Sequence, residues 1–216
     1  AQGVRINSIF TRLYQESVKK QLNFDITPKA IEYFMDLYDA KKDDDLLYCL
    51  LPFRVMLVQN AYAKGYNDFD LPVLIDKDGE AMRQDFCYIQ GNENNQFNLT
   101  VTGNSLTSYF RSLRYASVKC IGDNITHSAS ECSDSTFVFY GNVGEINATG
   151  LTNCDVYFLG EVDLGCGAGS KNTRFFSPVE NTLAKINLGD LKSCSLNLMG
   201  SDGSYQQIER EDLWCE

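Results

Sequence analysis

Apolar residues in the first third of the chain recur at helical spacing. Ile6, Ile9, Phe10, Leu13 and Val18 form one such set, and Ile31, Phe34, Met35 and Tyr38 form another, as expected of amphipathic helices with one buried face. Thr27 and Pro28 supply a cap and a first-turn proline for the second. A third helix is expected from Asp43, Asp44 and Asp45, whose charges suit a helix N-terminus, to about Lys64, with a kink at Pro52 and a stop at Gly65. "NDFDLPVL" then reads as an extended crossing, and Asp78-Gly79 as a turn.

From Phe97 the period changes from helical to alternating. In "FNLTVTG", Phe97, Leu99 and Val101 share one face while Asn98, Thr100 and Thr102 share the other. In "EINATG", Ile146 and Ala148 point inward if Asn147 reaches solvent. "INATGLTNCDVYFLGE", from Ile146, is echoed forty positions later by "INLGDLKSCSLNLMGS", from Ile186. In each copy one alternation reaches Leu151 or Leu191 and resumes at Cys154 or Cys194, with a break at Gly150 or Asp190 that reads as a bulge or a corner. A looser third copy starts before Leu113. These features predict an α+β fold in which N-terminal helices pack against a strongly curved antiparallel β-meander. It is read as a single domain over 1–216, helical over 1–66 and mostly antiparallel strands over 67–216.

Charge and cysteines set the class. Net charge is −10 and the basic residues form no cluster, which argues against nucleic acid and anionic membranes as partners. The most apolar run, Leu46 to Val58, is interrupted by Pro52 and Arg54 and is too short for a transmembrane segment. Eight cysteines (Cys49, Cys87, Cys120, Cys132, Cys154, Cys166, Cys194 and Cys215) accompany three sequons at Asn98, Asn124 and Asn147. Together they point to a secreted, disulfide-bonded glycoprotein in an oxidising compartment, its signal peptide removed. Two cysteine pairs twelve apart, Cys120 with Cys132 and Cys154 with Cys166, suit cross-links between neighbouring strands of hairpins. Spacing excludes a zinc site, and no metal or cofactor is expected.

The stretches "DLPVL", "NLTVTGNSLTSYFRSLR" and "YGNVGEINATGLTNCDVYF" resemble the arthropod secreted members of the tubular lipid-binding superfamily, which include juvenile-hormone-binding and takeout-like proteins and mite group 7 allergens. The resemblance covers roughly residues 70–202. It implies a bent antiparallel sheet around a long helix, enclosing an elongated apolar cavity for a lipid or terpenoid. The chain departs from it in its short end "SYQQIEREDLWCE", its extra helical sequence and its additional cysteines.

Catalysis has little support. His127, the only histidine, sits beside a sequon in "NITHSASE" and reads as an exposed loop residue, which leaves Ser-His and Cys-His systems without a base. "GCGAGS" lacks the continuation of a phosphate loop, and "DKDGE" has Leu74 where a calcium loop needs its first ligand. The expected function is therefore non-enzymatic. It is a carrier holding a hydrophobic small molecule or lipid, its cavity lined by Phe97, Leu99, Val101, Val118, Phe137, Phe139, Val156, Phe158, Leu196 and Leu198. The alternative is an extracellular structural or recognition module, without ligand, that assembles with itself or with other proteins.

Overall fold

The computed structural model describes residues 54–55, 58–59, 61–75, 79–81, 83–188 and 193–208. Its strands come in successive pairs: β1 (Asp68–Pro72) and β2 (Gln84–Cys87), β3 (Phe97–Thr102) and β4 (Ser105–Arg111), β5 (Ala116–Ile121) and β6 (Asn124–Ser130), β7 (Thr136–Phe139) and β8 (Val143–Asn147). They continue with β9 (Asp155–Phe158) and β10 (Val162–Cys166), β11 (Arg174–Ser177) and β12 (Ile186–Asn187), then β13 (Ser195–Met199) and β14 (Tyr205–Ile208). The odd-numbered strands, closed by β14, form an eight-stranded sheet, and β2 to β12 form a six-stranded one. Within each sheet neighbours are parallel, except that β14 runs antiparallel to β13. The chain thus passes from one sheet to the other and back in every coil. This is a β-solenoid, and it corrects the expected α+β antiparallel meander.

From β3 to β11 the register advances by nineteen residues per coil, as in Asn98, Ser117, Thr136, Asp155 and Arg174. Inward side chains therefore stack in columns. Val118, Phe137, Val156, Phe175 and Leu196 form one column, and Ser108, His127, Ile146, Gly165 and Ile186 form another in the facing sheet. Ile146 and Ile186 are equivalent, two coils apart, with Gly165 between them. A Cβ on Gly165 would lie 2.8 Å from Ile186 Cγ1 and 3.3 Å from Ile146 Cγ2, so both isoleucines lean into the space the glycine leaves.

Corners repeat with the same period. Ser112, Glu131, Gly150 and Gly169 all take positive φ, as do Tyr115, Asp134, Asn153 and Asn172. Left-handed backbone is tolerated by Asn, Asp and Gly. At the second of these corners the side chains also bond coil to coil, Asn153 Nδ2 donating to Asp134 Oδ1 at 3.0 Å and Asn172 Nδ2 to Asn153 Oδ1 at 3.3 Å. The remaining corner stacks Gly103, Gly122, Gly141 and Gly160, where a Cβ on Gly141 would fall 2.3 Å from the Gly122 carbonyl oxygen. The residue after each glycine builds a ladder. The Asp123, Asn142 and Glu161 amides donate to the side-chain oxygens of Asn104, Asp123 and Asn142 at 2.9, 2.8 and 3.0 Å.

A solenoid needs its ends covered, because terminal coils otherwise present core to water. At the first coil the described residues between 54 and 63 are helical, with Val55, Val58 and Ala61 buried. Arg54 is buried with them, its Nη1 donating to Gln84 Oε1 at 2.6 Å and its Nη2 to the Pro72 carbonyl at 2.8 Å, above the Phe86 ring. Gly65, at φ +96°, ends this segment where the sequence placed the stop. The two earlier helices expected over Ile6–Val18 and Ile31–Tyr38 lie outside the described residues. At the far end β14 covers β13, and a short helix, Glu180–Ala184, packs Leu183 into the core.

Gly141→Ala forces a methyl group against backbone that cannot yield without separating two coils. We expect it to lower unfolding free energy by about 3 kcal/mol, read from the urea midpoint. A loss under about 0.5 kcal/mol would mean that the stacked corner does not constrain the fold.

Candidate functional site

The glycine corner opens on its six-stranded side into a groove of about 620 Å³ lined by residues of five successive coils. Its outward column consists of Leu106, Ile125, Gly144 and Asp163, one residue per coil by the nineteen-residue register. Leu106 and Ile125 are 43% and 60% exposed. At Gly144 the backbone runs so close to the preceding coil that a Cβ would lie 2.7 Å from the Ile125 carbonyl oxygen. No side chain fits, and the column is notched there. Beyond the notch stand the exposed carboxylates of Asp163 and Glu161, with Asp123 and Glu80 elsewhere along the rim. No lysine or arginine lines the groove. Lys185 reaches Asp163 from outside at 3.7 Å, both groups being well exposed, so that pair contributes little.

A second hollow, about 420 Å³, lies on the outer face of β1, β3 and β5, bordered by Asp68, Asp70, Asn98 and Lys119. Farther along the same face, Tyr157 and Phe176 stack at 4.5 Å and Tyr205 meets Phe176 edge-on at 4.9 Å. Arg174 forks onto Asp155 beside them at 2.7 and 2.6 Å.

The residues singled out from sequence fall elsewhere. Of the ten candidates for a ligand cavity, nine belong to the buried core cluster and Leu198 packs against it. Phe137 meets Phe110 and Phe139 stacks on Phe158. Among the ten, only Leu99 borders either hollow. They fill the interior with one another.

His127 is corrected from exposed loop to fully buried strand. It lies on β6 at 0% exposure, its ring 4.5 Å from Phe139 and 6.1 Å from Phe110, with neither nitrogen hydrogen-bonded. Burial without a partner pushes its pKa down to about 3.

The cysteine expectation is also corrected. Cys120, Cys132, Cys154 and Cys166 are free thiols, so the pairings 120–132 and 154–166 are not made. Cys120 points into the core from β5, and Cys132 sits at a corner, its Sγ donating to the Phe110 carbonyl at 3.3 Å. Burial raises the thiol pKa of Cys132 to about 12 and of Cys154 to about 11, and raises that of Cys120 as well. Such thiols are poor nucleophiles. The Cys87 and Cys194 thiols are raised too, chiefly by burial. Cys49 and Cys215 lie outside the described residues.

The sequons divide. Asn98 and Asn147 point outward from β3 and β8 and are half-buried, Asn98 Nδ2 donating to Asp68 Oδ1 at 2.9 Å. Asn124 is only 8% exposed, with Nδ2 on the Gly122 carbonyl and Oδ1 accepting from Ser105.

Among the described residues no three His, Cys, Asp or Glu side chains gather to hold a metal, and no helix is long and apolar enough to cross a membrane. No protein-family description, no curated protein and no solved structure matches the chain. Sequence reading missed the groove, although Gly103, Gly122, Gly141 and Gly160, each followed by Asn, Asp, Asn or Glu at a constant nineteen, were there to locate it.

Two outcomes follow from these placements. Because the folded-state pKa of His127 is depressed, its contribution to stability is intact above about pH 6.5. It is lost as pH falls toward 3, at about 1.4 kcal/mol per pH unit. The carboxylates lowered by partners, Glu131 by Arg111 and Asp134 chiefly by the Asn153 amide, begin their losses only below their ordinary values of 4.5 and 3.8. Urea midpoints should therefore fall between about pH 6.5 and 5 in the parent and stay flat over that range in His127→Leu; parallel curves would overturn the assignment. In material made through a secretory route, peptide mapping should find Asn124 unmodified, since a glycan there would have to displace the Ser105 contact inside the corner.

Proposed function

We propose that the chain is a structural or recognition module, working through its outer surface. The observation that carries this reading is the interior. Phe97, Val118, Phe137 and Val156, which would line a carrier's cavity, instead stack on their equivalents one coil away and are wholly buried. Parallel coils bonded through regular ladders give a stiff rod with a different surface along each side, a frame suited to holding side chains at fixed spacing. The acidic balance, 29 Asp and Glu against 19 Lys and Arg, keeps such rods apart and favours partners of opposite charge. Activity of this kind needs no reaction and no cofactor. The secretory reading now rests on the outward sequons Asn98 and Asn147, because the described thiols in the core take no part in cross-links.

Displacement of a fluorescent fatty acid, together with mass spectrometry of organic extracts, tests the proposal. The protein should neither bind the probe stoichiometrically nor release a lipid. Stoichiometric binding that is abolished by Val156→Trp would restore the carrier and overturn the module.

A further inference from the structure

We propose that the groove beside the glycine corner docks an extended, cationic peptide segment, with one Lys or Arg side chain seated in the notch at Gly144. This deepens the surface-recognition reading and rests on it. Three features of the groove converge on that occupant.

Its length is the first. Coils in a parallel sheet lie about 4.8 Å apart, so the path from Asn104 to Glu161 is about 14 Å, which four residues of extended chain cover at about 3.3 Å each. The second is the apolar wall. Leu106 and Ile125 are exposed in adjacent coils with no described side chain covering them, and the missing side chain at Gly144 leaves a trough beside Ile125. A long basic side chain has the matching form, a methylene stem for the trough and a charged head for water. The third is the charge. Where the stem would end stand Glu161 and Asp163, and no lysine or arginine is among the residues lining the groove. Lys185 lies 3.7 Å from Asp163. It already marks this carboxylate as a place where an ammonium rests, and as a competitor the incoming head displaces.

An acidic segment is repelled by the same rim, and an uncharged apolar one brings no charge to Glu161 and leaves Asp163 with only its exposed Lys185 contact. A second copy of the chain, itself at −10, brings no net positive charge to the encounter.

The test uses the full chain and a fluorescein-labelled peptide alternating lysine and valine over seven residues, with its glutamate-valine counterpart and spermidine as comparisons. Anisotropy should report saturable binding of the lysine peptide that weakens at least tenfold between 20 and 300 mM salt. The glutamate peptide should not bind. Amide chemical-shift changes should centre on Ile125, Gly144 and Glu161. The exposed pair Glu161→Gln with Asp163→Asn should weaken binding at least tenfold, and Ile125→Ser severalfold, with circular dichroism unchanged.

The proposal is overturned if the lysine peptide does not bind, if these variants leave affinity unaltered, or if shifts map to another face. It is also overturned if spermidine competes as well as unlabelled peptide, which would reduce the site to diffuse charge. Failure here, with the fatty-acid experiment still negative, removes the groove as a docking site and leaves the module reading intact. A stoichiometric lipid removes the module reading instead.

Discussion

In a parallel solenoid most amides that leave a strand at a corner find their acceptor one coil away, because the chain seldom folds back on itself in a local turn. The other corners meet it mainly with backbone carbonyls, as when the Ser112 amide donates to the Ser130 carbonyl at 2.9 Å and the Tyr115 amide to that of Ser133 at 3.2 Å. At the glycine corner the Gly103 and Tyr140 amides also reach backbone carbonyls, while those of Asp123, Asn142 and Glu161 take as acceptors the side chains of Asn104, Asp123 and Asn142. These bonds lie at the surface, where water can take over a lost acceptor, so each contributes on the order of 1 kcal/mol at most. The short acidic and amide side chains are thus structural before they are anything else. They fix the coil length, since one residue more or fewer would lift each oxygen off the amide it serves.

Stacking at fixed spacing makes a second demand, on volume. Neighbours in a column share space, so at several positions a large residue in one coil is met by a smaller one in the next, while Phe86 with Phe110 and Phe139 with Phe158 stack ring on ring. Phe110 sits beside Ala129, Phe137 beside Val118 and Val156, and Ile146 and Ile186 flank Gly165. Where sizes alternate in this way, adjacent coils are unlike and alternate coils alike. That is the physical origin of the forty-residue echo. Ile146 with Ile186, Cys154 with Cys194 and Leu113 with Leu151 are all pairs two coils apart, and the intervening coil, with Gly165, Thr173 and Cys132 in those places, hides the shorter period.

The strand faces were legible because alternation reports burial directly. Phe97, Leu99, Val101, Ile146 and Ala148 are inside, and Asn98, Thr100 and Asn147 are out. The corner at Gly150 and the stop at Gly65 were legible for similar local reasons, since positive φ asks for glycine. Strand direction was not. A half-buried strand reads the same whether its neighbour runs parallel or antiparallel, and here the crossover that a parallel pair requires is itself a strand, in the opposite sheet, with no helical signature to betray it. β6 was illegible for another reason. Its inward positions carry Asn124, His127 and Ala129, so the run "NITHSAS" has no apolar alternation to detect. Its place is set by β4 and β8 on either side.

The groove shows how a fold this repetitive acquires a distinct site. Inward columns answer to packing and corner positions to hydrogen bonding, so neither can vary freely. Outward columns answer only to solvent, and there one coil can differ from the next at little cost. The column Leu106, Ile125, Gly144, Asp163 passes from apolar through empty to acidic within three steps of the register; the close Ile125 carbonyl accounts for the glycine, but not for the exposed aliphatic pair before it. Ile125, exposed on a strand whose inward face is partly polar, inverts the usual distribution. A segment that would lay aliphatic carbon on Ile125 and a cation against Asp163 gives both departures one explanation. The stiffness of the stacked coils holds the two ends of that gradient at a constant distance, as the proposed docking of a cationic segment requires.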